Sequence, residues 1–218
     1  MASLRLYHIL PSEFAISDLA LRRMKIARVS DLNDPFELLS YRFENEDLKN
    51  AWESSKKKIG DKNGLLCFSK GWQNPVLWSH YGDKHRGICL GFDVPEEAPR
   101  HVDYLPERLE LKEISLEMAE GFLFSKYKHW EYEEEWRAYV NLDPSTEEGG
   151  MYFMEFGDGL KLREVILGAR CLVPTTNIQT LLQGIGPGIS LETAVLDHSQ
   201  FRVSADPAAK WTSSLPAA

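Results

Sequence analysis

Between Trp130 and Arg137 the sequence W-E-Y-E-E-E-W-R sets four glutamates, three aromatic rings and one arginine in eight positions. As a helix this would be a solvated run, with Glu133 and Arg137 forming an exposed pair worth a few tenths of a kcal/mol. The residues that follow, W-R-A-Y-V-N-L, are aromatic and β-branched and stop at Asp143-Pro144, which favours a strand. With a period of two, Trp136, Ala138 and Val140 take one face, the natural core face, and Glu133, Glu135, Arg137 and Tyr139 take the other. Two readings then stand. On an open face the charges form a solvated ladder. Under a cleft, Arg137 holds Glu135 ionised and oriented, or binds an anionic group, and Trp130 and Tyr132 offer stacking surface for a ring.

A second polar constellation, W-S-H-Y-G-D-K-H-R-G, spans Trp78 to Gly87. Trp78 and Tyr81 fall three apart on one turn of a short helix. His80 and His85 lack the i, i+4 spacing of a paired metal site. Arg86 is either solvated or a phosphate contact. N-D-P-F-E is first a turn, with Phe36 expected in the core and Asn33 or Asp34 projecting polar groups into a site. No G-x-S-x-G elbow, Walker loop or G-x-G-x-x-G occurs, and G-I-G-P-G near residue 184 reads as a turn. Cys67, Cys89 and Cys171 are widely spaced beside apolar residues, which suits reduced thiols rather than disulfides or a zinc cluster.

The elements that must position these groups follow from periodicity. Residues 4–10 alternate as a strand with Leu4, Leu6, His8 and Leu10 on one face, and Ser12 is placed to cap the next helix. K-I-A-R-V, G-L-L-C-F-S, G-I-C-L-G-F-D, M-Y-F-M-E-F, E-V-I-L-G-A and T-A-V-L-D read as further strands. Helices are predicted over about residues 45–59, from Pro75 to Gly82, over 108–129, and after Val173, capped by Thr175 or Thr176. The reading is a single α+β domain over residues 4–204, with a mixed, mainly antiparallel sheet flanked by helices. Residues 205–218 read as a flexible tail.

The 218 residues are 43% hydrophobic and 27% charged, as expected of a globular chain. A net charge of −8 argues against broad, non-specific nucleic-acid binding. M-A-S-L-R-L-Y-H shows no apolar signal core, and no apolar run reaches membrane-spanning length, so a cytoplasmic protein with no membrane association is expected.

L-Y near the start, N-D-P-F, C-F-S, W-S-H-Y-x-x-x-H-x-G, G-F-D, W-x-Y-E-x-E-x-R and E-V-I-L-G, in this order over roughly residues 4–185, resemble a bacterial domain-of-unknown-function family, number 2971. More distantly, the order of an L-Y-H strand, helix, strand, polar loop and a late strand opening on glutamate resembles the ADP-ribosyltransferase fold. That resemblance implies an NAD-dependent transferase, of the kind found in toxin and phage-defence systems, with NAD as substrate. It implies that His8 and Tyr7 contact the cofactor and that Glu164, in R-E-V-I-L-G, is the catalytic acid, with Glu135 its rival. Asn33, Asp34, Trp78, Tyr81, Arg86 and Arg137 complete the expected nucleotide contacts, Arg86 or Arg137 as phosphate clamp. The acceptor would be a protein or a nucleic acid. L-Y-H is followed here by I-L where many members have glycine-threonine or glycine-serine, and no serine-threonine-serine motif is present. The competing class is a non-enzymatic module binding a nucleotide or a protein; a metal-dependent hydrolase would need a carboxylate cluster, for which Glu133 and Glu135 are the candidates.

Overall fold

In a computed structural model the described residues are 2–29, 32, 34, 36–111 and 121–214. In chain order they form β1 (Ser3–Leu10), α1 (Ser12–Leu21), β2 (Arg23–Arg28), β3 (Tyr41–Phe43), α2 (Glu46–Lys62), β4 (Asn63–Ser69) and α3 (Pro75–His80). There follow β5 (Ile88–Pro95), β6 (Pro99–His101), β7 (Asp103–Leu105), β8 (Leu109–Leu111), β9 (Ser125–Tyr127), β10 (Glu135–Asn141), β11 (Glu147–Glu148) and β12 (Met151–Glu155). The chain closes with β13 (Lys161–Leu167), α4 (Thr175–Ile185), β14 (Ser190–Leu196) and β15 (Val203–Thr212). The architecture is α+β, a mixed sheet flanked by helices, and the chain divides into two compact units.

The first unit takes the described residues of Met1–Met24, Phe68–Glu96 and Met154–Ala218. Its centre is β5, paired antiparallel with β1 along Ser3↔Pro95 to Leu10↔Ile88 and with β13 on the other side. β13 and β14 run parallel, which needs a crossover, and α4 supplies it. Ile88, Leu90, Phe92, Val165 and Ile166 are fully buried, as near-continuous apolar runs on central strands require. The tail expected after Ser204 is instead strand: β15 runs to Thr212, and pairs with β14 from Ser190↔Thr212 to Leu196↔Val203. Ser12 does not cap α1; Pro11 holds the capping position, its carbonyl taking the Ala15 N–H at 3.1 Å. Likewise Pro174 stands where Thr175 or Thr176 was expected to cap α4.

The second unit takes the described residues of Lys25–Cys67 and Glu97–Phe153. Asn45 caps α2 by accepting from Leu48 N at 2.9 Å, and the helix runs past Gly60 to Lys62. Trp52, on its buried face, stacks on Phe122 with centroids 3.7 Å apart and donates Nε1–H to Leu38 O at 3.2 Å. Val29, Leu123 and Phe124 complete this core. The helix expected over 108–129 does not reach its ends: residues 121–123 are helical, but Leu109–Leu111 pairs parallel with β3, and Ser125–Tyr127 pairs parallel with β7. Leu109, which the apolar spacing of that helix would bury, is 45% exposed, because it belongs to a short strand. Residues 112–120 of that expected helix lie outside the described residues.

Candidate functional site

In the first unit, strand pairing sets Tyr7, Gly91 and Glu164 in one row across β1, β5 and β13. A Cβ on Gly91 would stand 3.0 Å from Glu164 Cβ, 3.1 Å from Tyr7 Cε1 and 3.3 Å from Glu164 Oε2. Glycine at this position is what lets the phenol and the carboxylate close over the strand. A bulge between Leu162 and Glu164 adds Arg163 to the same region, as bulges re-aim side chains. Asp93 then accepts from Arg5 Nε and from Arg163 Nε, each at 2.8 Å. Burial pushes the Asp93 carboxyl up, but the two guanidinium groups outweigh it and hold it below the usual range.

Glu164 is poised differently. Its side chain is 14% exposed, Arg5 Nη1 stands 3.8 Å from Oε2, and Oε2 is buried without a hydrogen bond. A buried acceptor of this kind is uncommon in folded proteins. Burial first, and the Glu164 charge second, push the Tyr7 phenol well up, so at neutral pH it is a hydrogen-bond donor. The site therefore offers an oriented carboxylate with one open acceptor, beside a protonated phenol and a partly exposed guanidinium. Such a group can take a hydroxyl proton in a hydrogen bond and stabilise nearby positive charge.

His8 does not join this row. Strand alternation turns it to the opposite face from Tyr7, where its ring meets the edge of Phe68 at 6.4 Å. Trp78 is fully buried, donates Nε1–H to Trp72 O at 2.6 Å, packs edge-on against Trp72 and lies parallel to the His85 ring at 6.4 Å, so it is no exposed stacking platform. Tyr81 ends α3 and meets His80 edge-on at 6.2 Å. Arg86 is 55% exposed and 4.0 Å from Asp83, a loose pair that leaves the guanidinium available.

The turn between Tyr81 and Gly87 has three successive non-glycine residues at positive φ: Asp83 (42°), Lys84 (55°) and His85 (71°). Each costs on the order of 1–3 kcal/mol and persists only where surrounding bonds hold it. Here Trp78 O accepts from both Gly82 N and His85 N, while His85 O accepts from Arg170 N. The Ser79 hydroxyl donates to Pro75 O at 3.0 Å, so across the 3.4 Å contact with His85 it is Nε2–H that donates. Ser79 is thus no base-activated nucleophile, and His85 Nδ1 is a buried acceptor without a partner. Burial and Arg170 lower the His85 imidazole, favouring its neutral form. In the sequence His85 stands as a solvated loop residue without the spacing of a metal partner to His80.

The second unit holds the opening stretch. Lys128–Glu133 is a 3-10 turn, Glu134 reverses the chain at φ 43°, and only then does β10 begin. Along β10 Glu135 and Arg137 of the expected polar face are buried, Arg137 completely, while Tyr139 of that face is exposed; on the expected core face Ala138 is buried and Trp136 and Val140 are half-buried. Pairing is the reason. Arg137 donates to Glu135 Oε1 (2.7 Å) and Oε2 (3.0 Å), to both Glu37 oxygens (2.9 and 3.0 Å) and to Leu123 O (2.8 Å). Lys126 Nζ lies 2.6 Å from Glu133, 3.2 Å from Glu135 and 3.2 Å from Glu37. Burial alone would push the Glu135 carboxyl up; the Arg137 guanidinium, its hydrogen bonds and Lys126 outweigh this and hold it at about 2. Every oxygen of Glu135 is occupied, so it has no acceptor to offer a substrate and too low a basicity for a general base.

Glu37 reaches this network from the N-D-P-F-E segment. Asp34 is a turn-former, its Oδ1 accepting from Phe36 N at 2.9 Å, and Asn33 lies outside the described residues. Phe36, expected in the core, is 61% exposed, while Leu38 is buried in its place at φ 61°. Glu37 carried no recognisable signal, because Arg137 lies a hundred residues away, and Lys126 carried none, because the turn over Lys128–Glu133 is what brings it to Glu133. Among the described residues no three His, Cys, Asp or Glu side chains gather as a metal site, and the three cysteines are thiols not joined in disulfides. No described helix is long and apolar enough to cross a membrane. No family model, curated protein or solved structure matches the chain.

Proposed function

We propose that the chain is an NAD-using, ADP-ribosyltransferase-like enzyme, with Glu164 as its catalytic acidic residue and Tyr7 as the donor beside it. The observation that carries this reading is the open, buried acceptor on Glu164 Oε2, beside the protonated Tyr7 phenol over Gly91. In the reaction the bond between nicotinamide and ribose breaks, and nicotinamide leaves with the electron pair. The ribose carbon gains oxocarbenium character, and a nucleophile of the acceptor, a protein or nucleic acid, bonds to it and releases its proton. A carboxylate accepting a ribose hydroxyl stabilises that positive charge. Glu164 supports this role better than Glu135, whose oxygens are spent on Arg137 and Lys126. Arg86 is the better phosphate contact for the same reason, since Arg137 is committed to Glu37, Glu135 and Leu123. The resemblances to the bacterial family and to the transferase fold, and a place in toxin or phage-defence biology, belong to this reading.

The test is calorimetric NAD binding with nicotinamide release measured in the same samples, for wild type, Glu164→Gln and Tyr7→Phe. Saturable NAD binding is expected, with release lowered about 100-fold or more in Glu164→Gln at unchanged melting temperature. Absence of binding at millimolar NAD would overturn the reading and return the chain to the binding-module class.

A further inference from the structure

The second unit contains a cleft of about 570 Å³ that the transferase reading does not use. Its volume lies within the roughly 300–1,000 Å³ of small-molecule sites. Its walls include Phe36, Arg42, Glu107, Arg108, Lys126 and Tyr127. Two features set it apart from an ordinary surface hollow. Large aromatic rings face solvent in it, Phe36 at 61% and Tyr127 at 49% exposed, where apolar rings normally turn inward. Cationic side chains accompany the rings: the Arg108 guanidinium stands 5.4 Å from the Phe36 centroid, and Arg42 lines the same wall.

The two ends of such a ligand can be assigned. One face of Tyr127 is covered by His129, stacked at 4.7 Å and 10°, which stiffens the ring and leaves its other face for a planar group. Phe36 gives a second π-face, and a guanidinium above it can stack on a base or turn to a phosphate. Among the described residues neither Arg42 nor Arg108 is ion-paired, so their charge is available to an anion. Lys126 contributes shape more than charge, since its ammonium is held by Glu133, Glu135 and Glu37 and lies 4.7 Å from the Trp130 centroid. The carboxylates behind it are themselves bonded to cations, and Glu107 is the acidic residue on the cleft wall.

We propose that this cleft binds an aromatic anion of the nucleotide kind, its base on Tyr127 and Phe36 and its phosphate on Arg42 and Arg108. The site is separate in residues from Tyr7 and Glu164, so it does not depend on the transferase reading.

The experiment titrates adenosine monophosphate, adenosine and inorganic phosphate into wild type, Arg108→Ala, Phe36→Ala and the Tyr7→Phe/Glu164→Gln double variant. Tryptophan fluorescence and calorimetry report binding, and a thermal melt confirms folding; both cleft substitutions are at exposed side chains. Saturable binding of adenosine monophosphate is expected, weakened about tenfold in each cleft variant and retained in the double variant. Adenosine or phosphate alone should bind more weakly than the nucleotide. Binding indifferent to both cleft substitutions, or lost only in the Tyr7/Glu164 variant, would overturn the proposal. Equal affinity for phosphate alone would overturn the base-stacking half of it, and no saturable binding at millimolar nucleotide would overturn it entirely.

Discussion

Replacing Arg137 by Met keeps a long, unbranched side chain in the site but removes a guanidinium that is 0% exposed and donates to Glu135, Glu37 and Leu123. Glu37 and Glu135 would then keep Lys126, which also serves Glu133. Stripping one partner from a buried ionic network costs about 3–5 kcal/mol, because the remaining charge is left desolvated. At about 2–4 °C per kcal/mol for a chain of this size, the melting temperature should fall by roughly 6–20 °C. The pH dependence should change sign as well. In wild type the Arg137 guanidinium and Lys126 outweigh burial and hold the Glu135 carboxyl well below its ordinary 4.5, which stabilises the folded chain. That contribution is fully present above pH 4.5 and is lost as pH falls through about 2. Without Arg137, burial dominates and the folded carboxyl lies above its unfolded value. Its contribution is then present below pH 4.5 and lost as pH rises. The stability gap between the two proteins should therefore be largest at neutral pH and shrink toward pH 5. Urea denaturation followed by tryptophan fluorescence at pH 7.5 and pH 5 measures both quantities. A neutral-pH loss under about 1 kcal/mol, or a gap that widens on acidification, would refute the buried-network argument.

Gly91→Ala should cost about 1–3 kcal/mol in chemical denaturation, since its methyl group would press on Glu164 Cβ and Tyr7 Cε1 at 3.0 and 3.1 Å. Unchanged stability would mean that the two side chains yield freely. Trp52→Ala should cost about 3–5 kcal/mol by the same assay, as it removes the ring stacked on Phe122 and leaves a void beneath α2. A loss below 1 kcal/mol would show that the second unit's core does not rest on that stack.

Much of the secondary structure was legible because its causes are local. β1, β4, β5, β13 and β14 are short apolar or alternating runs between turn residues, and the Pro75 helix begins beside its capping Asn74. The ends of the helix expected over 108–129 are strands, because periodicity over short edge strands imitates a helical stripe, whereas residues 121–123 inside that span are helical; β15 was missed because D-P-A-A reads as loop chemistry. Its strand character comes from pairing with β14 rather than from its own composition.

By itself the sequence determined that W-E-Y-E-E-E-W-R leads into a strand and that Glu135 and Arg137 share a face. It also determined that Glu164 opens an apolar strand. Which of those faces is buried was a tertiary decision. The two-residue period predicts a common side but not its solvent exposure, and a pair of opposite charges can be enclosed only when further partners satisfy it. Glu37, a hundred residues from Arg137, and Lys126, seven from Glu133, provide that enclosure in the second unit. The Tyr7–Gly91–Glu164 row is of the same kind, since three strands remote in sequence must pair in one register before a phenol and a carboxylate can meet over a glycine.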